Sequence, residues 1–387
     1  MEGVDGGAID TSGGFCPNVR AERSGYTAPC CASLSRGAGT ANRKTGVGKS
    51  KQATLQSIAD DLGLHVSTVA RVLNGMREGE RAASGATAER IRQRAAEVNY
   101  RPNPHAASLR TKRTNLVGVL VPRLSDVVLA TVYEGVESAA AERGLTAFVA
   151  NTQDSPDDQR KRIEMMLDRR VDGLILGDAR ADDHTVLEEL TRREVPFVLV
   201  NRSVAGYPAA TCDNYLGGRL AAEHLLELGH RRVGVIAGLA HASTGIDRPA
   251  GFVDRFREAG VEVPAENIVY SGLDSNGGHL AADRMLDGAS PPTALFAVND
   301  FAAIGAAGSI RNHGLRVGAD VSLIGFNNIA LTAEMHVPLT SIESHAFDMG
   351  RDALGLLAEL LAGKNAGQCR TKPVLVARDS TRRCGAG

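Results

Sequence analysis

Three side chains at the start of one short helical pattern have the chemistry needed to read DNA bases. Val66 and Ser67 open an apolar-periodic run, and Arg71 follows about one turn later. A guanidinium in this position can donate two hydrogen bonds to guanine O6 and N7 in a major groove. Thr68 can donate to a phosphate, and Asn74 closes the run. These residues predict a DNA contact made by one face of one helix.

Two helical runs joined by a tight turn would position these side chains. The first run covers residues 55–62 and the second covers 66–74, and Gly63 permits a sharp turn between them. The apolar residues of each run share one face: Ile58, Ala59 and Leu62 in the first, and Val69, Val72 and Leu73 in the second. This pattern indicates a helix-turn-helix, whose second helix lies in the major groove. The alternative is a surface helical pair within a larger fold, with Arg71 merely solvated.

A second segment with DNA-binding potential lies at residues 102–113. Asn103 precedes Pro104, which favours an extended N-cap followed by a first helical residue. The run 104–110 is too short to be a stable helix alone. We expect it to fold only against a minor groove and a symmetry mate, with Leu109 as an apolar wedge between base steps. The alternative is an ordinary linker with a single turn.

Composition and charge favour a soluble protein that touches phosphate with one part only. The chain has 387 residues, of which 43% are hydrophobic and 23% charged, and this length suggests two or three domains. Its net charge is −1, yet residues 53–113 contain ten basic and six acidic side chains, a local net charge of +4. A basic module on a mildly acidic body is typical of nucleic-acid binding.

Other classes of site find little support in the sequence. None of the six cysteines forms a CxxC pair, and no Cys/His cluster has metal-ligand spacing, so neither a metal nor another cofactor is expected. Residues 1–52 are rich in Gly, Ser, Ala and Thr and are predicted to be a disordered leader. No apolar run is long enough for a membrane span, and no secretory signal is evident. We expect a cytoplasmic protein without a membrane partner.

Beyond residue 113 the pattern alternates between strand and helix. The apolar strand-like runs lie at 116–121, 146–150, 173–176, 196–200, 232–237, 268–270, 293–298 and 321–326. Amphipathic stretches lie between them at 133–143, 157–170, 216–228, 252–259 and 302–313. This alternation predicts parallel α/β sheets with helices on both faces, arranged in two lobes. A small molecule is then expected in a cleft between the lobes, beyond the carboxyl ends of the strands.

Taken together, these motifs resemble the lactose-repressor (LacI/GalR) family of transcription regulators. The similarity runs from about residue 53 to 381. The segments that carry it are TVARVLN at 68–74, NYRPNP at 99–104 with SLR at 108–110, RRVDGLI at 169–175, LGHRR at 228–232, DVSLIGF at 320–326 and PLTSI at 338–342. The resemblance implies a homodimer or higher oligomer that binds a near-palindromic double-stranded operator and carries a periplasmic-binding-protein-like core. A small effector in the cleft, usually a sugar or nucleoside-type metabolite, would change lobe closure.

The resemblance also assigns residues to the two sites. The DNA-binding candidates are Val66, Ser67, Thr68, Arg71, Asn74, Asn103, Ala106 and Leu109. The effector-binding candidates are Asp126, Asn201, Arg248, Asp300 and Asn327. A guanidinium that donates and a carboxylate that accepts would suit a hydroxyl-rich ligand. Surface charge is the alternative interpretation of Arg248 and Asp300.

The chain departs from the family pattern at several positions. His65 replaces the usual serine that caps the recognition helix, so we expect a weaker or pH-sensitive cap. Residues 77–82 carry an apparent insertion, and Ser125 with its neighbours replaces an aromatic segment at the cleft mouth. Asn327 stands where an aspartate is common. The last two departures leave the identity of the effector open.

The predicted organisation has four parts. After the leader come a helix-turn-helix domain at 53–101, a hinge at 102–113 and an effector-binding core at 114–383. Within the core, residues 114–212 and 343–366 are assigned to the first lobe, and 213–342 and 367–383 to the second. The function that follows is a ligand-controlled transcriptional repressor without enzymatic activity. The alternatives are a solute-binding protein and a small-molecule enzyme on the same scaffold.

Overall fold

The N-terminal domain is a cluster of short helices around a small apolar core. The computed structural model of the protein describes residues 53–73, 84–101 and 113–385. Helix α1 spans Leu55–Leu62, α2 spans Val66–Leu73 and α3 spans Gly85–Glu97. Their shared core consists of Ile58, Ala59, Val69, Ile91 and Ala95. The helix-turn-helix predicted from the sequence is present, and α3, which the periodicity did not single out, closes its apolar face.

Capping and one turn residue fix the geometry between α1 and α2. The Thr54 hydroxyl accepts from the Ser57 backbone N–H, and the Ser57 hydroxyl accepts from the Thr54 N–H, so two orphan donors at the helix start are satisfied. Gly63 ends α1 at a φ of +64°, a conformation that a side chain would strain. Arg94 of α3 donates to Asp61 of α1 at 2.7 and 3.0 Å, which ties the third helix to the first.

The first lobe is built on a six-stranded parallel sheet. Its strands in chain order are β1 (Leu116–Val121), β2 (Thr146–Asn151), β3 (Gly173–Leu176), β4 (Phe197–Val200), β5 (Ala209–Cys212) and β11 (Gln368–Thr371). They are arranged in the spatial order β11-β5-β4-β3-β1-β2. Its helices are α4 (Val127–Glu142), α5 (Pro156–Asp168), α6 (Thr185–Arg192) and α11 (Ala346–Leu361).

Alternate residues of each strand face different helices, as the pleat requires. Val119 of β1 packs in the core that α4 and α11 share, whereas the next residue, Leu120, packs in the core formed with α5 and α6. Both side chains are fully buried, so the strand reads as a continuous apolar run. The prediction of parallel sheets with helices on both faces is confirmed.

The second lobe repeats the plan with one antiparallel edge. Its strands are β6 (Val233–Ile236), β7 (Ile268–Val269), β8 (Ala294–Ala297), β9 (Ser322–Asn327), β10 (Thr340–Glu343) and β12 (Val374–Val376). Their spatial order is β12-β10-β9-β8-β6-β7, and β12 pairs antiparallel with β10. Its helices are α7 (Asn214–Glu227), α8 (Ser243–Glu258), α9 (Ser275–Leu286) and α10 (Asp300–Asn312).

Two glycines let α7 and α8 approach closely. A Cβ atom at Gly218 of α7 would lie 2.0 Å from the Arg248 carbonyl oxygen, and one at Gly251 of α8 would lie 2.0 Å from the Tyr215 carbonyl oxygen. Both separations are far below van der Waals contact, so any larger residue would force the helices apart. This packing holds Arg248 of α8 beside Asn214, at the start of α7.

The eight strands predicted from the sequence are present with bounds that agree within one residue, but the sequence did not predict four further strands. These are β5, β10, β11 and β12. One lobe assignment also differs. Residues 367–383 were expected in the second lobe, yet β11 pairs in parallel with β5 of the first sheet, and only β12 joins the second. The chain therefore passes between the lobes after β5, after β10 and between β11 and β12.

Across the described ranges, no helix is both long and apolar enough to cross a membrane.

Candidate DNA-binding helix and interlobe cleft

Helix α2 presents its predicted DNA-reading residues at the surface while its apolar face is buried. Val69 is fully buried, whereas Val66, Ser67 and Thr68 are partly exposed and Arg71 is exposed. The Arg71 Nε donates to the Ser67 carbonyl oxygen at 3.2 Å, so the guanidinium lies back along its own helix. Its Nη2 donates to the Ser67 hydroxyl at 3.5 Å, and no residue of the described chain other than Ser67 holds Arg71 by a hydrogen bond, so extension towards a base edge breaks only these local contacts.

His65 caps α2 with its imidazole ring. The Nδ1 atom accepts from the Ser67 backbone N–H at 3.3 Å and lies 2.8 Å from the Ser67 hydroxyl. The ring therefore takes over the role of the serine found in the family pattern. Nδ1 can accept this hydrogen bond only in the tautomer in which it carries no proton.

Part of the predicted DNA interface lies outside the described residues. Asn74, Asn103, Ala106 and Leu109 fall there, as does the apparent insertion at 77–82. Their proposed roles stay predictions. The described part of the predicted interface is α2, with Val66 and Ser67 partly exposed and Arg71 exposed.

A cavity of about 420 Å³ lies between the two lobes. Its walls come from the loops that follow β1, β2 and β4 in the first lobe and β6, β7 and β8 in the second. The polar and aromatic residues that line it are Arg123, Ser125, Asp126, Gln153, Asp154, Asn201, Arg202, His241, Thr244, Asp274, Ser275 and Phe301. This is the carboxyl edge of both parallel sheets, where open α/β sheets bind their ligands. The volume falls in the range of small-molecule sites.

Two of the five predicted effector residues lie on the wall of this cavity. Asp126 caps α4, where its Oδ1 accepts from the Val128 backbone N–H at 3.0 Å, and burial raises the pKa of its carboxyl group. Asn201 follows β4 in the left-handed region at a φ of +63°. Both side chains come from the first lobe and can meet a ligand directly.

Arg248 lies outside the cavity wall and is 3% exposed. Its Nε donates to Asn214 Oδ1 at 2.8 Å, and its Nη1 donates to the Val298 carbonyl oxygen at 2.6 Å. The guanidinium lies over the Phe326 ring, 3.7 Å from the ring centroid. Because burial penalises the charged form and no carboxylate forms an ion pair with it in the described chain, the pKa of Arg248 is lowered to about 10.

Asp300 and Asn327 lie beside Arg248 and are also outside the wall. Asp300 is buried, with Oδ1 accepting from the Ser341 hydroxyl at 2.6 Å and Oδ2 from the Ile329 N–H at 2.8 Å. Burial nevertheless raises its pKa to about 7. Asn327 Oδ1 is 3.5 Å from Arg248 Nη2. The sequence predicted one cluster of five effector residues, whereas the structure divides them between the cavity wall and the layer behind it. Their direct contact with an effector stays a prediction.

The sequence missed a charged network that joins the lobes across the cleft. Arg202 donates to both carboxylate oxygens of Asp154 at 2.7 and 2.9 Å. His241 of the second lobe lies 3.3 Å from the same carboxylate, and nearby the Ser203 N–H donates to Ser243 Oγ at 2.9 Å. Asp154 and Arg202 come just after β2 and β4, so their position at the carboxyl edge was a signal that could have identified them.

Comparison with known proteins agrees with both parts of the molecule. A family model described as a periplasmic binding protein-like domain matches residues 222–381. The HTH-type transcriptional repressor PurR of Klebsiella pneumoniae is 31% identical over 81% of this chain and 91% of its own length. The HTH-type transcriptional regulator DegA of Bacillus subtilis is 30% identical over 85% of this chain and 98% of its own length.

Two solved structures of transcription regulators also resemble this chain over most of its length. The lac repressor dimer bound to operator and the anti-inducer ONPF superposes with a TM-score of 0.78 at 27% identity, covering 86% of this chain and all of that chain. The transcriptional regulator CelR in complex with cellobiose gives a TM-score of 0.65 at 28% identity, covering 85% of this chain and all of that chain. With its helix-turn-helix and two-lobed core, the chain belongs to the LacI/GalR family of transcription regulators.

Proposed function

We propose that this protein is a repressor that binds a near-palindromic operator as a dimer and that a small polar effector in the interlobe cleft controls this binding. The observation that carries the proposal is the exposed start of α2, where Ser67 and Arg71 lie free of the packed core. These side chains can enter a major groove without disturbing the apolar face that holds α2 in place.

The DNA-binding part follows from one recognition helix per chain. A single short helix reads only a few base pairs, so two chains related by a twofold axis are needed for a longer site. Their half-sites would lie about one helical turn of DNA, or a multiple of it, apart. The operator-bound lac repressor, a dimer, supports this arrangement.

The effector part follows from the walls of the cavity. Asp126, Asp154 and Asp274 supply acceptors, Asn201 supplies both donors and acceptors, and Phe301 offers an aromatic face. This mixture suits a hydroxyl-rich ring such as a sugar or nucleoside, because each hydroxyl both donates and accepts. The cellobiose complex of CelR supports a carbohydrate-sized ligand.

Control of DNA binding by the effector follows from the position of the cavity. It lies between the two lobes, which are joined where the chain crosses from one to the other three times. A ligand that contacts both walls favours whichever degree of lobe closure gives it the most contacts. The surfaces that would separate if the lobes opened include the Asp154–His241 and Ser203–Ser243 contacts. A change in closure would then move the segments that lead to the DNA-binding helices.

The experiment is a comparison of full and half operators. The purified full-length chain selects a site from random duplexes, and its affinity is then measured for that site, for one half of it and for a scrambled duplex. We expect two chains per full site and binding at least tenfold tighter than to the half-site. Equal affinity for full and half sites, with one chain on each, would contradict the dimer proposal.

The effector is tested with the same duplex. A panel of monosaccharides, disaccharides and nucleosides is first screened for a rise in the melting temperature of the chain. A compound that stabilises the protein should also change its affinity for the full site, because the coupling between two ligands is reciprocal. A compound that stabilises the protein without changing its operator affinity would contradict effector control of DNA binding. The core would then only bind the ligand.

A further inference from the structure

Asp178 is a buried carboxylate without a hydrogen-bond partner in the described chain. It follows β3 after a single glycine, is 2% exposed, and neither of its carboxylate oxygens accepts a hydrogen bond. Two donors lie nearby: the Thr152 hydroxyl donates to the Val121 carbonyl oxygen at 3.3 Å, and the Gln159 amide donates to the Asp178 main-chain oxygen at 3.4 Å. Buried polar groups almost always have a partner, so this exception calls for a physical reason.

Arg202 is a cation within electrostatic reach of Asp178. Burial raises the pKa of Asp178, the neighbouring Thr152 and Gln159 side chains and then the Arg202 charge lower it, and the Asp154 charge raises it, so both members of the ion pair act on this carboxyl group. The sheet order explains their proximity. Arg202 follows β4, Asp154 follows β2, and β3, which leads to Asp178, lies between these strands. Arg202 therefore reaches past the strand of Asp178 to pair with Asp154.

The two carboxylates differ in their surroundings. Asp154 lies on the cavity wall, where His241 of the opposite lobe contacts it. Asp178 is 2% exposed and is not among the residues that line the cavity. If the lobes separate, Asp154 loses His241 and gains water, whereas Asp178 stays in an environment where a charge pair interacts more strongly.

From this geometry we propose that Asp178 is a positioning residue and the second acceptor for Arg202. The Arg202 guanidinium transfers from Asp154 to Asp178 when the cleft opens or when donor groups of an effector bind Asp154. The effector part of the proposal rests on the function proposed above. The transfer gives the buried carboxylate its missing partner and frees Asp154 for the hydroxyl groups of a ligand. Arg202 stays paired in both positions, which avoids an uncompensated buried charge.

The test is a double-mutant cycle on the full-length chain, with no DNA and no effector present. The variants are Asp154→Asn, Asp178→Asn and the double variant, and the readout is the melting temperature at pH 7.5. We expect Asp178→Asn alone to change the melting temperature by less than about 1 °C, because Arg202 is paired elsewhere. Asp154→Asn alone should lower it by no more than about 3 °C, since Arg202 moves to Asp178.

The double variant should lose more than the sum of the single changes, by about 4 °C or more, because Arg202 then has no carboxylate. The matched control is Asp157→Asn, which removes an exposed carboxylate of the same lobe, and its combination with Asp178→Asn should be additive. Additivity within 1 °C for the Asp154/Asp178 pair would overturn the proposal.

A crystal structure of the Asp154→Asn variant gives an independent readout that does not need the double variant to fold. We expect the Arg202 guanidinium within 3.5 Å of an Asp178 oxygen, the limit for a hydrogen bond. An Arg202 side chain that stays beside residue 154 or extends into the cavity would also overturn the proposal. Neither experiment involves operator binding, so a failure here leaves the repressor function intact, and a failure to bind operator leaves this test valid.

Discussion

The DNA-binding helix and the interlobe cleft hold their polar side chains in opposite ways. At α2, the side chains of Arg71 and His65 are exposed, and within the described residues their hydrogen bonds go only to Ser67. In and behind the cleft, Arg202 pairs with a residue 48 positions away and Arg248 contacts one 50 positions away, and both are buried. The first site can therefore change with little effect on folding, whereas the second is part of the core that stabilises the protein.

The largest expected effect is the loss of stability when Arg248 is replaced by alanine. The change leaves the Asn214 side chain and the Val298 carbonyl without their donor and opens a cavity over Phe326. Each unsatisfied group costs about 1–3 kcal/mol, so we expect a total loss of about 3 kcal/mol or more. Thermal unfolding followed by circular dichroism measures it.

The matched control for this prediction is Arg71→Ala. Because Arg71 is exposed and contacts only its own helix, its removal should change the free energy of unfolding by less than about 0.5 kcal/mol. If the two arginine variants melted at the same temperature, the contrast between a surface site and a core site would be wrong.

The next effect in size concerns operator affinity. Arg71→Ala should weaken binding to the selected operator by about 1–3 kcal/mol and relax the preference at one base pair. Arg92→Ala, which removes an equal charge from an exposed position of α3, should leave sequence preference unchanged. Fluorescence anisotropy on matched and mutated duplexes separates the two. An equal loss for Arg71→Ala on specific and random DNA would argue against base reading.

A pH-dependent effect of intermediate size is expected from Asp300 behind the cleft. Its pKa is about 7 in the folded chain, against roughly 4 for an unfolded aspartate. The folded state therefore binds the additional proton, and the stability due to this group is present below pH 4 and is lost as the pH rises to 7. Asp300→Asn should reduce the fall in melting temperature between pH 5 and pH 8 by a few degrees.

The control for the pH prediction is Asp157→Asn, which alters a carboxylate whose side chain is 82% exposed. This variant should keep the full pH dependence of the wild-type chain. The explanation based on Asp300 is wrong if both variants lose stability equally between the two pH values.

The smallest effect is expected at the cap of α2. His65→Ala removes the acceptor of the Ser67 N–H, and the loss of an N-cap costs about 1 kcal/mol. Amide hydrogen exchange in the first turn of α2 should then become about fivefold faster, while the core keeps its melting temperature. His65→Ser should restore the protection. Unchanged exchange in the alanine variant would show that the imidazole does not cap the helix.

Local patterns predicted many of the elements and the exposed face of α2 well. Helix α1 and the buried strands could be located because their apolar residues recur with the period of a helix or form continuous runs between turn residues. The exposed face of α2 followed from the same periodicity, since Val69 had to point inwards and Arg71 outwards. The short strand β12 and the parallel edge strand β11 were missed, because pairing at the edge of a sheet rather than a local pattern defines them.

The cleft was predicted only in part because its contacts join distant segments. The carboxyl edge of the sheets was expected, and Asp126 and Asn201 lie there. The burial of Arg248 depends on the close packing of α7 and α8 at Gly218 and on stacking over Phe326. Neither contact has a signature in one segment of the chain. A resemblance of motifs identifies which residues matter, but only the packing shows which of them face the cavity.

The most direct test of base reading by α2 is a titration of the wild-type chain against a duplex from its own upstream region, with random DNA as competitor, at roughly 50 and 200 mM salt. We expect binding that resists the competitor and weakens steeply with salt, because exposed cationic side chains replace counterions on the phosphates while α2 reads the bases. Affinity for the duplex no greater than for random DNA, at either salt concentration, would contradict the assignment of α2 as a base-reading helix.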